Sequence, residues 1–156
     1  MEFGEMNFFE AVKSAFSKYA RFSGRSSLPE FWYFWLFVVI GQFLFGALDA
    51  QIEGVKEWTG EGTYAAIFIW VTCIPFTAVA VRRFHDSGMS GWWVLILYGT
   101  FGSSYALGSS TRDDFVVLGY LVDIMGLTLL FYWMCKKGDE GENRFGPYPL
   151  ASDKKQ

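Results

Sequence analysis

The sequence predicts an all-α fold: a four-helix transmembrane bundle preceded by an amphipathic N-terminal helix at the membrane interface, with both termini cytoplasmic. Three observations carry this. The 156 residues are 52% hydrophobic and 21% aromatic but only 19% charged, where soluble domains run nearer 25% charged. Apolar runs of 18 to 21 residues, interrupted by at most one charge, recur along the chain, close to the ~20 a bilayer requires. Lys and Arg fall almost entirely on one side of those runs. The length suits one domain, residues 1–156, with no internal repeat and no linker.

Residues 7–22 have the pattern of an amphipathic helix. Phe8, Phe9, Val12, Ala15, Phe16, Tyr19 and Ala20 follow helical spacing on one face. Glu10, Lys13, Ser14, Ser17, Lys18 and Arg21 occupy the other, as in a helix lying among headgroups. The same pattern fits a soluble helix packed on a core. Asn7 with Glu10 forms a capping-box signature. No secretory signal is visible: residues 1–22 carry Glu2, Glu5 and Glu10 and have no apolar core.

The first span is expected over 31–48, with Pro29 in its first turn and an aromatic belt of Phe31, Trp32, Tyr33 and Trp35 at its start. Asp49 ends it. The second span covers 63–81 and holds Pro75, which removes one backbone hydrogen bond. A tight loop of residues 81–93 follows, with the only histidine, an Arg pair and Trp92-Trp93. The third span, 92–110, is diluted by Gly and Ser. It either crosses as a small-residue helix or breaks near Gly99 and Gly102, which requires cover from protein or water. The fourth, 115–135, is interrupted only by Asp123, and 136–156 is a polar tail. Cys73 falls near mid-membrane and Cys135 at one face, so no disulfide joins them.

Eleven Lys and Arg residues lie before span one, in the central loop and in the tail; the other two loops hold Lys56 and Arg112. The positive-inside rule then sets both termini and the central loop in the cytoplasm, which four crossings satisfy.

Three separated segments resemble a known family. Phe22-Ser23-Gly24-Arg25 with Glu30-Phe31-Trp32 is the first. Arg82-Arg83-Phe84-His85-Asp86 with Ser90-Gly91-Trp92-Trp93 is the second. Gly141-Glu142-Asn143-Arg144-Phe145-Gly146-Pro147 is the third. Together, over residues 20–149, they resemble the bacterial inner-membrane family catalogued as domain of unknown function 805. The resemblance implies a small multi-pass protein of the bacterial inner (plasma) membrane and no assigned chemistry. Ser26-Ser27-Leu28 and Met89 stand where that family is more basic.

Two residue sets are candidates for function. Arg25, Glu30, Arg82, Arg83, His85, Asp86, Asn143 and Arg144 belong to the three segments. If they converge, they form either a pocket for an anionic lipid headgroup or other phosphate, or an ion-pair network stapling helix ends. A protein partner is the other use of such a cluster. The second set is intramembrane. Asp123 lies about 12 Å below the outer edge, Gln42 about 9 Å, Thr72 about 14 Å and Ser103 near that level, at 1.5 Å per residue. A buried ionisable residue marks a transport path or a packed polar layer. A small transporter or channel subunit, as a homo-oligomer, is therefore the alternative function.

No catalytic set is readable. Gly88-Met89-Ser90-Gly91 resembles the G-x-S-G of rhomboid proteases, but the base such a serine needs is absent beyond His85 in the same loop. Ser90 as a helix cap explains it equally. One His and two separated Cys do not make a zinc site. No metal, cofactor or nucleic-acid partner is expected, and the protein is expected not to be an enzyme.

Overall fold

The computed structural model describes residues 6–52, 62–108 and 113–149. Regular structure among them is helical: α1 (Phe8–Ser17), α2 (Leu28–Ile52), α3 (Thr63–Asp86), a single 3₁₀ turn (Gly91–Trp93), α4 (Val94–Gly108) and α5 (Asp113–Cys135). One isolated bridge joins Asn143 and Gly146 in the tail. α2 packs along α3 and α4 along α5, and α1 lies against α2 and α3.

α1 begins with a capping box. The Asn7 side chain accepts the Glu10 N–H at 3.0 Å, and the Glu10 carboxylate accepts the Asn7 N–H at 2.9 Å. The helix ends at Ser17 and not near residue 22, because Arg82 takes the carbonyls of Lys18 and Arg21. Its buried residues are Ala11 and Ala15, and Phe16 sets its ring edge-on to Phe34 and Phe37. Phe9 is exposed. Ser14 and Lys18, expected on the solvent face, instead turn to Glu30 of α2.

The expected ends of the first two spans are corrected by helices that run through their charges. α2 continues past Asp49 to Ile52. Asp49 is buried, and its two carboxylate oxygens accept the N–H groups of Tyr64 and Ala65, both at 2.9 Å. It thus caps α3 from a neighbouring helix, satisfying two donors that every helix start leaves free. α3 continues through Arg82 and Arg83 to Asp86, so the segment read as a loop from residue 81 is helical there. The turn itself is Ser87–Ser90, closed by Met89 N–H to Phe84 carbonyl at 3.0 Å. The Ser90 side chain accepts the Trp92 N–H at 3.5 Å, capping the 3₁₀ turn.

Pro75 lies inside α3 and leaves the Val71 carbonyl without its usual i+4 donor. The Tyr19 hydroxyl, from the end of α1, donates to that carbonyl at 2.7 Å. The proline and the aromatic are thus complementary across two elements.

The apolar core lies at the end of the bundle where α2 starts and α3 and α5 finish. It comprises Ala15, Phe31, Phe34, Val79, Val81, Phe84, Leu130 and Met134, with Phe37, Phe76 and Trp133 at its edge. Away from it, large apolar side chains face outward, Trp70 and Met125 among the most exposed. That is the surface a bilayer covers.

Three described helices are long and apolar enough to cross a membrane: Leu28–Ile52, Thr63–Asp86 and Val116–Cys135. α4, expected as a span over 92–110, is a 15-residue helix preceded by the 3₁₀ turn. It runs unbroken through Gly99 and Gly102. Its contact with α5 is close at Gly126, where any side chain would run into Thr100. Cys73 and Cys135 are free thiols.

Candidate functional site

Residues from the three sequence segments meet at the core end. Four elements supply them: the α1–α2 connection (Arg25), the first turn of α2 (Glu30), the last turns of α3 (Arg82, Arg83, His85, Asp86) and the tail (Asn143, Arg144). Arg82 and Arg83 are neighbours on α3 and point to different partners, as adjacent helical residues must.

Glu30 joins the first group. Its Oε1 accepts Ser14 Oγ at 3.0 Å, Lys18 Nζ at 3.3 Å and Arg82 Nη2 at 3.3 Å. Arg82 Nη1 reaches on to the carbonyls of Arg21 at 2.5 Å and Lys18 at 3.4 Å, closing the end of α1. Asp86 joins the second group. It accepts Arg25 Nε at 2.8 Å through Oδ1 and pairs with Arg83 through Oδ2. Arg83 also donates from Nε to the Met134 carbonyl at 3.2 Å and from Nη2 to the Lys136 carbonyl. It thereby caps α5, whose last carbonyls carry the negative end of the helix dipole.

Arg25 ties in the tail. Its guanidinium donates to the carbonyls of Asp139 at 2.5 Å, Gly141 at 2.6 Å and Gly146 at 3.3 Å, and stands 5.5 Å from the Tyr148 ring centroid. The Asp139 N–H donates to the Asp86 carbonyl at 2.7 Å. A side chain on Gly138 would strike the Asp86 carboxylate, so glycine is needed where the tail passes it. Asn143 donates to the His85 carbonyl at 3.0 Å and to Asp139 Oδ2 at 3.1 Å. His85 lies flat on Phe145, centroids 3.9 Å apart. Its Nδ1 is 3.1 Å from the Gly24 carbonyl, and a carbonyl only accepts, so Nδ1 carries the proton. Arg144 is on the exposed rim, donating to the Gly88 carbonyl at 2.9 Å with its guanidinium over Phe145.

The result is two triads in which one buried carboxylate serves two cations: Lys18–Glu30–Arg82, open to solvent at Lys18, and Arg25–Asp86–Arg83. The side chains of Arg25, Arg82 and Arg83 are at most 1% exposed. Each triad carries a formal excess of one positive charge, offset in part by the carbonyls around it. In the exposed Lys137–Glu140 pair nearby, the hydrogen bond between the side chains, with their mutual attraction, raises the lysine pKa and lowers the glutamate's; in full solvent such a pair adds little.

Beside the triads is an open cleft of about 680 Å³ between the α1–α2 connection and the tail. Lys18, Arg21, Arg25 and Arg82 line one side, and Phe145, Tyr148 and two prolines the other. Lys18, Arg21 and Tyr148 were not read from the sequence as part of a site. Nor were Ser14 and Asp139. Lys18, Arg21 and Asp139 act at least in part through their backbone, which side-chain chemistry does not reveal.

Within the intramembrane set, Thr72 is engaged by its own helix. The Thr72 hydroxyl donates to the Phe68 and Ile69 carbonyls of its own helix, at 2.8 and 3.3 Å, as Thr commonly does in helices. Gln42 keeps a buried Oε1 with no acceptor contact used. Asp123 is half-buried on α5, one turn from Gly126 and so on the α4-facing side. Ser103 is on α4, one turn beyond Thr100, and its side chain lies outside the described ones. A different polar contact, Tyr98 with Thr77 and Cys73, joins α3 to α4.

A family profile described as "Protein of unknown function (DUF805)" matches residues 19–147. The chain is 31% identical over 131 residues to "Inner membrane protein YhaH" of Escherichia coli (strain K12), covering 84% of this chain and 88% of that one. It is 29% identical over 138 residues to "Inner membrane protein YhaI" of the same strain, covering 87% and 92%. No solved structure matches.

Proposed function

We propose, from the premise that this chain belongs to the DUF805 family of proteins of unknown function, that it is a multi-pass inner-membrane module without catalytic chemistry. Its motif end holds an anionic lipid headgroup. α4 and its 3₁₀ lead-in together extend about 28 Å, at 1.5 and 2.0 Å per residue, near the ~30 Å of a bilayer core. Counted as a crossing, α4 makes four, and the Lys/Arg asymmetry then turns both termini and the motif end to the cytoplasm.

The observation that carries the reading is the pair of triads. Two buried carboxylates serve four cations, and Arg21 and Arg144 add exposed charge at the same end. Buried charge left in excess attracts a counter-ion, and the cytoplasmic leaflet supplies anionic headgroups at this depth. A protein partner or a second copy could use the same end, but the bilayer already presents the needed chemistry there. The groups a hydrolase would use are otherwise engaged: His85 on Gly24 and Phe145, Ser90 on the Trp92 amide.

The test is native mass spectrometry of the protein purified with its lipids and then exchanged into equal mixtures of phosphatidylglycerol and phosphatidylethanolamine. Selective retention of phosphatidylglycerol is expected; equal retention overturns the reading. A second reading, a small transporter or channel subunit, is favoured by the unpartnered Gln42 Oε1 inside α2 together with Asp123, and it is addressed by an Asp123 variant below.

A further inference from the structure

We infer that the cleft beside the tail is a phosphate-ester site, entered by the headgroup phosphate and lined on its cationic side by Lys18 and Arg21 in front of Arg25 and Arg82. This rests on the reading that the motif end binds an anion, and it specifies where and through which groups.

The division of labour follows from exposure. Arg25 and Arg82 line the cleft but are closed to solvent and already engaged, Arg25 with Asp86 and tail carbonyls, Arg82 with Glu30 and the carbonyls of α1. They contribute charge from behind the surface. Arg82 also retains a buried Nε–H that no described group accepts, and its Glu30 contact is long at 3.3 Å. Its charge is therefore incompletely compensated where screening is weak. Lys18 and Arg21 provide the reachable donors. Lys18 Nζ is about one-third exposed while touching Glu30. The Arg21 side chain is exposed and has no described partner. Among the described residues, no carboxylate lines the cleft.

The opposite wall explains why an ester fits better than a bare anion. Phe145 and Tyr148 have ring faces covered by His85, Arg144 and Arg25. Their remaining surfaces, with Pro147 and Pro149, make an apolar side for the glycerol of a phospholipid or the carbon skeleton of a soluble phosphate ester. A phosphate facing Lys18 and Arg21 and a carbon body facing the rings match the two sides of the cleft.

The experiment uses the full chain in detergent. The probes are short-chain phosphatidylglycerol and, separately, sn-glycerol 3-phosphate, with bound stoichiometry read by native mass spectrometry and thermal stability read alongside. Arg21→Glu and Ser23→Asp place negative charge in the cleft at exposed positions, where folding tolerates it. Lys137→Glu places it at the same end outside the cleft, on an exposed side chain. Reversing one cation changes the cleft by two charges and should weaken phosphatidylglycerol binding roughly thirtyfold, from about 1 kcal/mol per unit charge; adding a single negative charge should weaken it about fivefold. The expected result is the roughly thirtyfold loss for Arg21→Glu, the smaller, about fivefold loss for Ser23→Asp, and near-parent binding for Lys137→Glu, with unchanged melting of the free proteins. Equal loss for all three would overturn the cleft while leaving a diffuse lipid attraction intact. No binding of either probe by the parent would overturn both. Saturable glycerol phosphate binding that Arg21→Glu abolishes, with no phosphatidylglycerol binding, would uphold the cleft and overturn the lipid as its source.

Discussion

Removing the Asp86 carboxylate should cost more stability than removing either arginine it serves. Asp86 is the single acidic group between Arg25 and Arg83, whose side chains are 1% and 0% exposed. Asp86→Ala leaves two buried guanidinium groups with carbonyl partners alone. Deleting one partner of a buried pair costs about 3–5 kcal/mol, and because two cations lose their counter-charge here the upper end is expected. Arg83→Ala leaves Arg25 and Asp86 matched one to one. What is lost is a charged hydrogen bond and the cap on Met134 and Lys136, about 2–3 kcal/mol. The gap of about 2 kcal/mol is roughly thirtyfold in the unfolding equilibrium. Asp86→Asn, which can still accept from Arg25 Nε but carries no charge, should fall between them. Reversible unfolding by sodium dodecyl sulfate in mixed micelles, followed by tryptophan fluorescence, measures all three. The double variant should cost less than the sum of the singles, since the sites share one network. If Arg83→Ala proves as costly as Asp86→Ala, charge balance within the triad does not govern the stability of this end.

Three further outcomes are expected. Reporters fused after Gln156 and within 86–91 should read cytoplasmic and one at Glu57 external; an external central turn would refute four crossings. Tyr19→Phe should destabilise the protein by about 1 kcal/mol, the net worth of one hydrogen bond, by stranding the Val71 carbonyl. Adding Pro75→Ala, which restores a donor within α3, should recover most of that loss in the same unfolding assay, and a Tyr19→Phe cost unchanged by it would separate the two residues. Asp123→Asn should fold and melt like the parent; loss of proton or ion flux in proteoliposomes with the fold intact would favour the transporter reading over the lipid one.

Three of the four expected spans were legible because uncharged length is a blunt and dependable signal, but their ends were not. Charged residues were taken as helix stops, whereas Asp49, Arg82, Arg83 and Asp86 remain helical because each finds a partner from another element. The charges of the three motif segments were legible as a set, because opposite signs at one membrane face have few places to go. What escaped was the backbone's share: Arg25 is held largely by carbonyls of Asp139, Gly141 and Gly146, and Tyr19 by that of Val71. Any residue has a carbonyl, so no residue type announces such a contact. Lys18 and Ser14 were misassigned for a related reason. A buried Glu30 pulls polar side chains inward from a face that helical periodicity alone marks as wet.

The grip of Arg25 on the tail also sets a clock for biosynthesis. Arg25 leaves the ribosome early, yet one of its acceptors, Gly141, follows 116 residues later. At 5–20 residues per second that interval is roughly 6–23 s. Asp86 follows 61 residues after Arg25, so the two can meet in the second half of that interval, but the carbonyls that complete the guanidinium's coordination do not yet exist. The clasp therefore closes last, after the helices have been made. A chain released before residue 146 would present an unfinished, charged and solvent-accessible end.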